Sequence, residues 1–189
     1  MISEFGNKVE ILGAQPPDWR VTLIDSGVWR NIGERLLAVK DHVCNEELFL
    51  ANYSDALCDA PLPEMIDYFK KSGKIACFIA VHAPFNFHLA EFEQDGLVSR
   101  MRSSHEAQVW INGGYFIFRN KIFDYILDGE ELVLNPFNRL IKDRQLLAYK
   151  YEGFWRAMDM LKDRQVFEEM VERGEMPWRP SLNGKHSRA

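Results

Sequence analysis

Only three cysteines, Cys44, Cys58 and Cys77, occur in the 189 residues. Their odd number and irregular spacing fit neither a disulfide framework nor a zinc site, so they read as small apolar fillers in a reducing compartment. No apolar run approaches the length that a bilayer demands. The amino terminus, Met1-Ile2-Ser3-Glu4-Phe5, lacks the basic-then-apolar layout of a signal peptide. A basic excess is missing too. The formal net charge is −5 and the isoelectric point about 5.6, which argues against a nucleic-acid backbone as the main partner. Repeats and low-complexity stretches are also absent. These absences lead to the expectation of a cytoplasmic protein with no membrane segment and no nucleic-acid partner.

What is present is an ordinary globular composition, 47% hydrophobic, enough for one domain with a real core. Periodicity divides it into alternating elements. Residues 21–25 predict a short strand closed by Ser26-Gly27. Leu36, Leu37, Val39 and Val43 recur at helical spacing within 33–43. A strand over 47–53, a helix over 62–71 and a buried strand over 74–82 follow. Alternation over 88–93 and 97–101 predicts a hairpin around Gln94-Asp95-Gly96. Next come a long strand at 107–119, a helix near 120–127 and a helix over 136–142 that Pro136 suits as a first-turn residue. Strands at 146–151 and 153–158 precede a closing helix at 160–173. The division expected is a single domain over 1–176 and an extended tail over 177–189. Strands alternating with helices, then a hairpin-rich half, predict a three-layer α/β fold with a mixed sheet. Ligands in such folds sit beyond the carboxyl ends of strands. That singles out Tyr53-Ser54-Asp55 and Met158-Asp159.

The most informative stretch is Asn112-Gly113-Gly114-Tyr115-Phe116. Adjacent glycines inside an apolar run are poor strand formers, so they mark a bulge or a close approach. Asp159, closing an aromatic strand, has two readings: a metal ligand, or an N-cap for the following helix. His82, His88 and His105 are scattered and lack zinc-site spacing. A triad of Ser54, His82 and Asp59 can be drawn, but Ser54 lacks the Gly-x-Ser-x-Gly elbow that presents a nucleophile. Asp128-Gly129-Glu130-Glu131 reads as a solvated loop, and Phe154 and Trp155 as core aromatics.

Several of these stretches together resemble the glucose-1-phosphate cytidylyltransferases, a branch of the sugar nucleotidyltransferases. The resemblance is carried by Trp19-Arg20-Val21-Thr22-Leu23-Ile24-Asp25-Ser26-Gly27, Gly33-Glu34-Arg35-Leu36, Tyr53-Ser54-Asp55-Ala56 with Asp59, Asn112 to Phe116, and Gly153 to Asp163. It runs from about Asn7 to Trp178. It implies a three-layer αβα nucleotide-diphospho-sugar transferase (Rossmann-like) fold. It also implies attack by a sugar 1-phosphate on the α-phosphorus of CTP, giving CDP-glucose and pyrophosphate. Both reactants are polyanions, and two unit charges about 4 Å apart repel by roughly 4 kcal/mol at an effective dielectric near 20. The family offsets that repulsion with basic side chains and Mg2+ held by two aspartates. By the resemblance those aspartates are Asp55 and Asp159, the catalytic and metal-binding candidates. Asn112 and Gly113 would meet the sugar hydroxyls, and Gly33 and Arg35 would lie near the nucleotide.

Departures from the pattern set further expectations. The family's glycine-rich Gly-Gly-x-Gly-Thr-Arg loop has no counterpart in these residues, so the domain is expected to miss the first strand-loop section. An oligomer or a companion chain is then expected to supply the loop. The lysine of the family's Glu-Lys-Pro has no match between Val98 and Ile111, where Arg100 and Arg102 are the nearest cations. Asn86-Phe87-His88 stands where the family has Arg-Phe-Gly, Ser54 and Ala56 replace glycines, and Val133-Leu134-Asn135 loses carboxylates. The sequence therefore leaves two functions open: a cytidylyltransferase completed by another polypeptide, or a non-catalytic sugar-phosphate-binding or interaction subunit. A remnant without a role is the third reading.

Overall fold

The computed structural model describes residues 20–82, 88–104 and 106–179, together with the backbone of two short strands, β1 (Ile2–Ser3) and β2 (Lys8–Val9), paired antiparallel. Trp19, Asn86, Phe87, His105 and the tail beyond Arg179 lie outside the described residues.

A four-stranded sheet, in the order β3-β8-β5-β9, forms the middle layer. It consists of β3 (Leu48–Asn52), β5 (Ala76–His82), β8 (Trp110–Arg119) and β9 (Leu146–Tyr151). β8 runs antiparallel to both neighbours, whereas β5 and β9 are parallel. The sheet is mixed, as the sequence pattern predicts. Inner strands are covered on both faces and so read as near-continuous apolar runs. β5, Ala-Cys-Phe-Ile-Ala-Val-His, is such a run, with only Phe78 and His82 short of full burial.

Alternation sends its odd and even residues into two different cores. On one face Phe49, Phe116 and Phe118 pack with Leu36 of α1 (Ile32–Ala38), Ile122 and Phe123 of a 3-10 turn at Asn120–Tyr125, and Phe137 and Leu140 of α4 (Asn135–Lys142). On the other, Cys77, Ile79, Val81 and Ile117 pack with Met65 and Phe69 of α3 (Leu62–Ser72). Helices thus cover both faces, which gives the three layers. Burial inside the second core pushes the Cys77 thiol up to about 12, so it is an inert filler.

Two smaller antiparallel pairs complete the chain. β4 (Ala56–Cys58) pairs with β10 (Trp155–Ala157), and β6 (His88–Phe92) pairs with β7 (Val98–Ser103). The second is the expected hairpin, closed where Glu93 N–H donates to the Leu97 carbonyl at 2.8 Å and Gly96 takes φ +86°. The closing helix is α5 (Leu161–Glu172). Beyond it Trp178 is held by ring contacts with Phe154 and Phe167 at 5.6 and 5.5 Å.

Three expectations need correction. Residues 21–25 are extended but pair with no strand among the described residues, and Val21 and Leu23 stand exposed. The helix at 33–43 breaks at Val39 into α1 and a single turn, α2 (Lys40–Val43), because the Val39 N–H turns back to the Leu36 and Leu37 carbonyls. The helix near 120–127 is the 3-10 turn, a form suited to short connectors.

Candidate functional site

The carboxyl ends of β3, β5 and β9 share one rim with the start of β8, and here the singled-out residues gather. From Asn52 the chain runs through Tyr53-Ser54-Asp55 into β4. Tyr53 N–H donates to the Gly114 carbonyl at 2.8 Å, and its ring meets that of Phe116 at 5.2 Å. β10 returns along β4 with Ala157 opposite Ala56, and Met158 N–H donates to the Asp55 carbonyl at 2.7 Å. Asp159 therefore follows directly the residue bonded to Asp55. Both carboxylates are exposed, and among the described residues neither side chain has a hydrogen-bonded or ion-paired partner. The N-cap position is Met160 rather than Asp159, and its backbone is bonded by Asp163. Its carboxylate accepts the Met160 N–H at 3.1 Å and pairs with Arg156 at 3.1 Å.

Two cavities open on the α1/α4 face of this rim. One, about 550 Å³, is lined by Ile32, Arg35, Tyr53, Asp55, Phe116 and Leu132, among others. It brings Arg35 and Asp55 to one hollow. The Arg35 Nε–H donates to the Arg30 carbonyl at 2.8 Å, which fixes the start of that side chain's head group. The second, about 330 Å³, includes Phe78, Trp110, Asn112, Phe137 and Lys150 in its lining. Tyr53 and Asn112 join across the wall between them, where the Asn112 amide donates to the Tyr53 hydroxyl at 3.5 Å. Burial raises the Tyr53 phenol above its ordinary value, so it acts there as a neutral hydrogen-bonding group. Trp110 and Lys150 were not legible as site residues, although Trp110 shares the strand face of Asn112 by simple alternation.

The glycines have packing reasons. Between Phe78 and Ala80 of β5, paired with Phe116 and Asn112 of β8, the register shifts in a bulge that holds Gly113 and Gly114. Gly114 takes φ +75°, and a Cβ there would lie 2.7 Å from the Tyr53 ring. A Cβ on Gly113 would come within 2.8 Å of Ile79 Cγ2 and 3.1 Å of Trp155 Nε1. The Trp155 indole N–H donates to the Gly113 carbonyl at 2.7 Å, so Trp155 is a core aromatic that also fastens the bulge. Gly33 is buried where α1 meets the loop after the 3-10 turn, and a Cβ there would stand 2.1 Å from the Glu130 carbonyl oxygen. Asn112 Oδ1 accepts the Gly114 N–H at 2.9 Å, which orients its amide.

The acidic stretch 128–131 is a clamp rather than a solvated loop. The Gly129 carbonyl accepts from the Asn31 amide at 3.0 Å, Glu131 accepts the Ile32 N–H at 3.4 Å, and Glu130 is ion-paired with Arg139. Arg102 is engaged by Glu91 across the hairpin. Of the triad set aside above, Asp59 accepts from the Tyr151 hydroxyl, while the His82 ring lies 3.9 Å from that of Trp110. The Tyr151–Asp59 contact requires Gly153, whose Cβ would lie 2.1 Å from the Tyr151 oxygen. The Cys58 thiol and the Tyr115 phenol nearby are raised by burial, the latter to about 12.

Among the described residues no three His, Cys, Asp or Glu side chains form a ready metal cage. Magnesium does not need one, since it is commonly held by one or two carboxylates plus substrate phosphates. The carboxylates of Asp55 and Asp159, exposed and unpaired among the described residues, are of the ligand type that mode uses. No described helix is long and apolar enough to cross a membrane.

No family model matches the chain. It is similar to the glucose-1-phosphate cytidylyltransferase of Salmonella typhi, with 30% identity over 174 residues covering 92% of this chain and 68% of that protein. It is also similar to the catalytic subunit beta of mannose-1-phosphate guanylyltransferase from Xenopus tropicalis, with 28% identity over 125 residues, 63% of this chain and 35% of that one. Among solved structures, a Bacillus anthracis protein assigned as a glucose-1-phosphate thymidylyltransferase, crystallised with a sucrose, superposes with a TM-score of 0.53. At 14% identity, over 82% of this chain and 63% of that one, it shows the fold alone. The chain thus spans about two thirds of the Salmonella protein's length and less than two thirds of the solved chain's. With the nucleotide-sugar transferase fold, the paired strand ends and this extent of identity, the chain belongs to the glucose-1-phosphate cytidylyltransferase family of sugar nucleotidyltransferases.

Proposed function

We propose that the chain is the metal- and sugar-phosphate-bearing part of a cytidylyltransferase acting on CTP and glucose 1-phosphate to give CDP-glucose. One observation supports the reading: Asp55 lines a hollow with Arg35, and its carbonyl is bonded by Met158, the residue before Asp159, with neither carboxylate paired among the described residues. In the reaction an oxygen of the sugar 1-phosphate forms a bond to the α-phosphorus, and pyrophosphate leaves with the electron pair. Asp55 and Asp159 would hold Mg2+, which when bound lowers the repulsion between the two polyanions. Arg35, on the helix kept close by Gly33, would face the nucleotide phosphates. Asn112, with its amide already oriented, and Gly113 would meet sugar hydroxyls. The reading carries a cytoplasmic setting, where nucleotides and magnesium are at hand.

The sequence departures favour a second reading, a non-catalytic relative that binds sugar phosphate. Ser54 and Ala56 stand where the family has glycines, and the 189 residues contain no Gly-Gly-x-Gly-Thr-Arg loop. In the first reading that loop comes from a segment or companion chain outside these residues, docking at the free edge of β3. Among the described residues β3 pairs only with β8, and Leu50 is half exposed; such an edge is a template for another strand.

Calorimetric titration with CTP and Mg2+ separates the two. Micromolar binding that vanishes in Asp55→Asn supports the working nucleotide site, and absence of nucleotide binding leaves the sugar-phosphate reading. Gel filtration tests the pairing: a monomer at high concentration counts against self-association as an interaction subunit.

A further inference from the structure

A sugar phosphate at this rim needs a cation, and the sequence has no lysine where the family's Glu-Lys-Pro would fall. The two nearest arginines lie on the β6–β7 hairpin, where Arg102 is engaged by Glu91. Arg35 belongs to the other hollow. We infer that Lys150 supplies this charge, in the cavity it shares with Asn112 and Trp110. The inference rests on the reading above that the rim binds a sugar phosphate, and adds a residue to it.

The strand register sets the geometry. Lys150 of β9 is paired with Ala80 of β5, and Ala80 with Asn112 of β8. Three residues in one row on one face therefore read ammonium, methyl, amide. Neighbouring strands lie about 4.8 Å apart, so the outer two stand roughly 10 Å apart at their backbones. The small Ala80 leaves the gap between them open. Its walls are the Trp110 ring and the Phe78 and Phe137 side chains. A gap of that width suits one hydroxylated ring carrying an anionic group at one end. The volume, about 330 Å³, is at the small end of ligand sites and fits a monosaccharide phosphate rather than a nucleoside triphosphate.

Trp110 also prepares the lysine. The Lys150 ammonium lies 5.0 Å from the centre of the Trp110 ring, a cation–π contact that holds the flexible stem over the cavity. Among the described residues no carboxylate is ion-paired with Lys150. An aromatic ring is a softer partner than a carboxylate, so the ammonium keeps its donors for a phosphate. The aromatic face can also take the C–H side of a sugar ring. The sugar thus lies between Asn112 and Lys150, with its hydroxyls toward the amide and its phosphate toward the ammonium.

The test uses the full 189-residue chain and two probes, glucose 1-phosphate and neutral glucose, titrated by saturation-transfer NMR. Wild type is expected to prefer the phosphorylated sugar. Lys150→Met is expected to weaken glucose 1-phosphate binding roughly 10- to 100-fold, the worth of a hydrogen bond to a charged group, while leaving glucose binding unchanged. Lys150→Arg restores part of the preference. Unchanged glucose 1-phosphate affinity in Lys150→Met overturns the role of Lys150 while leaving the sugar-phosphate reading in place. Equal loss for both sugars also overturns it, since that marks a structural role. Wild type that binds no glucose 1-phosphate overturns both the inference and the reading beneath it.

Discussion

At the amino rim of the central sheet Arg119 is held by Glu47 at 3.0 Å, Arg139 is paired with Glu130, and Asp143 accepts the Tyr125 hydroxyl at 2.9 Å. At the carboxyl rim Asp55, Asp159 and Lys150 have no ion-paired partner among the described residues. The amino rim has the larger hollow, about 930 Å³, lined by Arg119, Lys121, Arg139 and Lys142 together with Asp124 and Asp143. Size alone would point there. Yet its arginines are already neutralised within the protein, which makes them fasteners between strands and helix. Charges left unmatched at the carboxyl rim cost little there because they face water, and they remain open to a ligand. The difference between the rims is thus that the arginines of the amino rim are ion-paired while Lys121 and Lys142 beside them are not, whereas the carboxyl rim is where α/β sheets take their ligands.

The sharpest way to break this contrast is to remove the unmatched carboxylates. Asp55→Asn and Asp159→Asn are each expected to lower Mg2+-promoted CTP affinity roughly 100-fold or more, given that even outer partners of metal ligands cost about 10- to 100-fold. Their melting temperatures should hardly move. A large loss of stability with intact binding would reverse the assignment of the two rims. The next largest effect is at Gly33, which tells packing from ligand contact. Gly33→Ala forces a Cβ against the Glu130 carbonyl and is expected to destabilise by about 3 kcal/mol in urea unfolding. Wild-type stability with weakened nucleotide binding would place Gly33 among the ligand contacts instead. Smaller again is Trp155→Phe, which leaves the Gly113 carbonyl without its donor. A loss of about 1–3 kcal/mol follows from an unpaired buried acceptor, read by the same denaturation, with sugar-phosphate binding weakened only as the bulge loosens.

The smallest effect sharpens the amino-rim side. Arg139 beside Glu130 holds its carboxyl below the ordinary value of 4.5. A folded-state pKa below the unfolded one contributes stability that is full above pH 4.5 and is lost as pH falls through the folded value. Glu130→Gln should therefore flatten the acid limb of a melting-temperature curve from pH 7 to pH 3.

Much of this was legible in the chain itself. The apolar run of β5 announced a strand covered on both faces, and Gln94-Asp95-Gly96 announced the hairpin. The pair Gly113-Gly114 announced a bulge. Less legible were features set by distant partners. Residues 21–25 have a strand's composition, but nothing among the described residues pairs with them, and composition cannot supply a neighbour. Glu130 and Glu131 look like solvated charges until Arg139 and the first turn of α1 are brought against them. Gly33 gives no local sign of the carbonyl that approaches it from Glu130.

Side-chain periodicity was sufficient to determine the strands of the central sheet and its two-sided burial, and motif spacing the family, because both are local properties of a chain. Which charges would be paired was decided only by the folded arrangement. Register across β9, β5 and β8 sets Lys150 and Asn112 on either side of Ala80, and the pairing of β4 with β10 sets Met158, the residue before Asp159, against Asp55. Contacts between residues far apart in sequence exist only once the strands have paired.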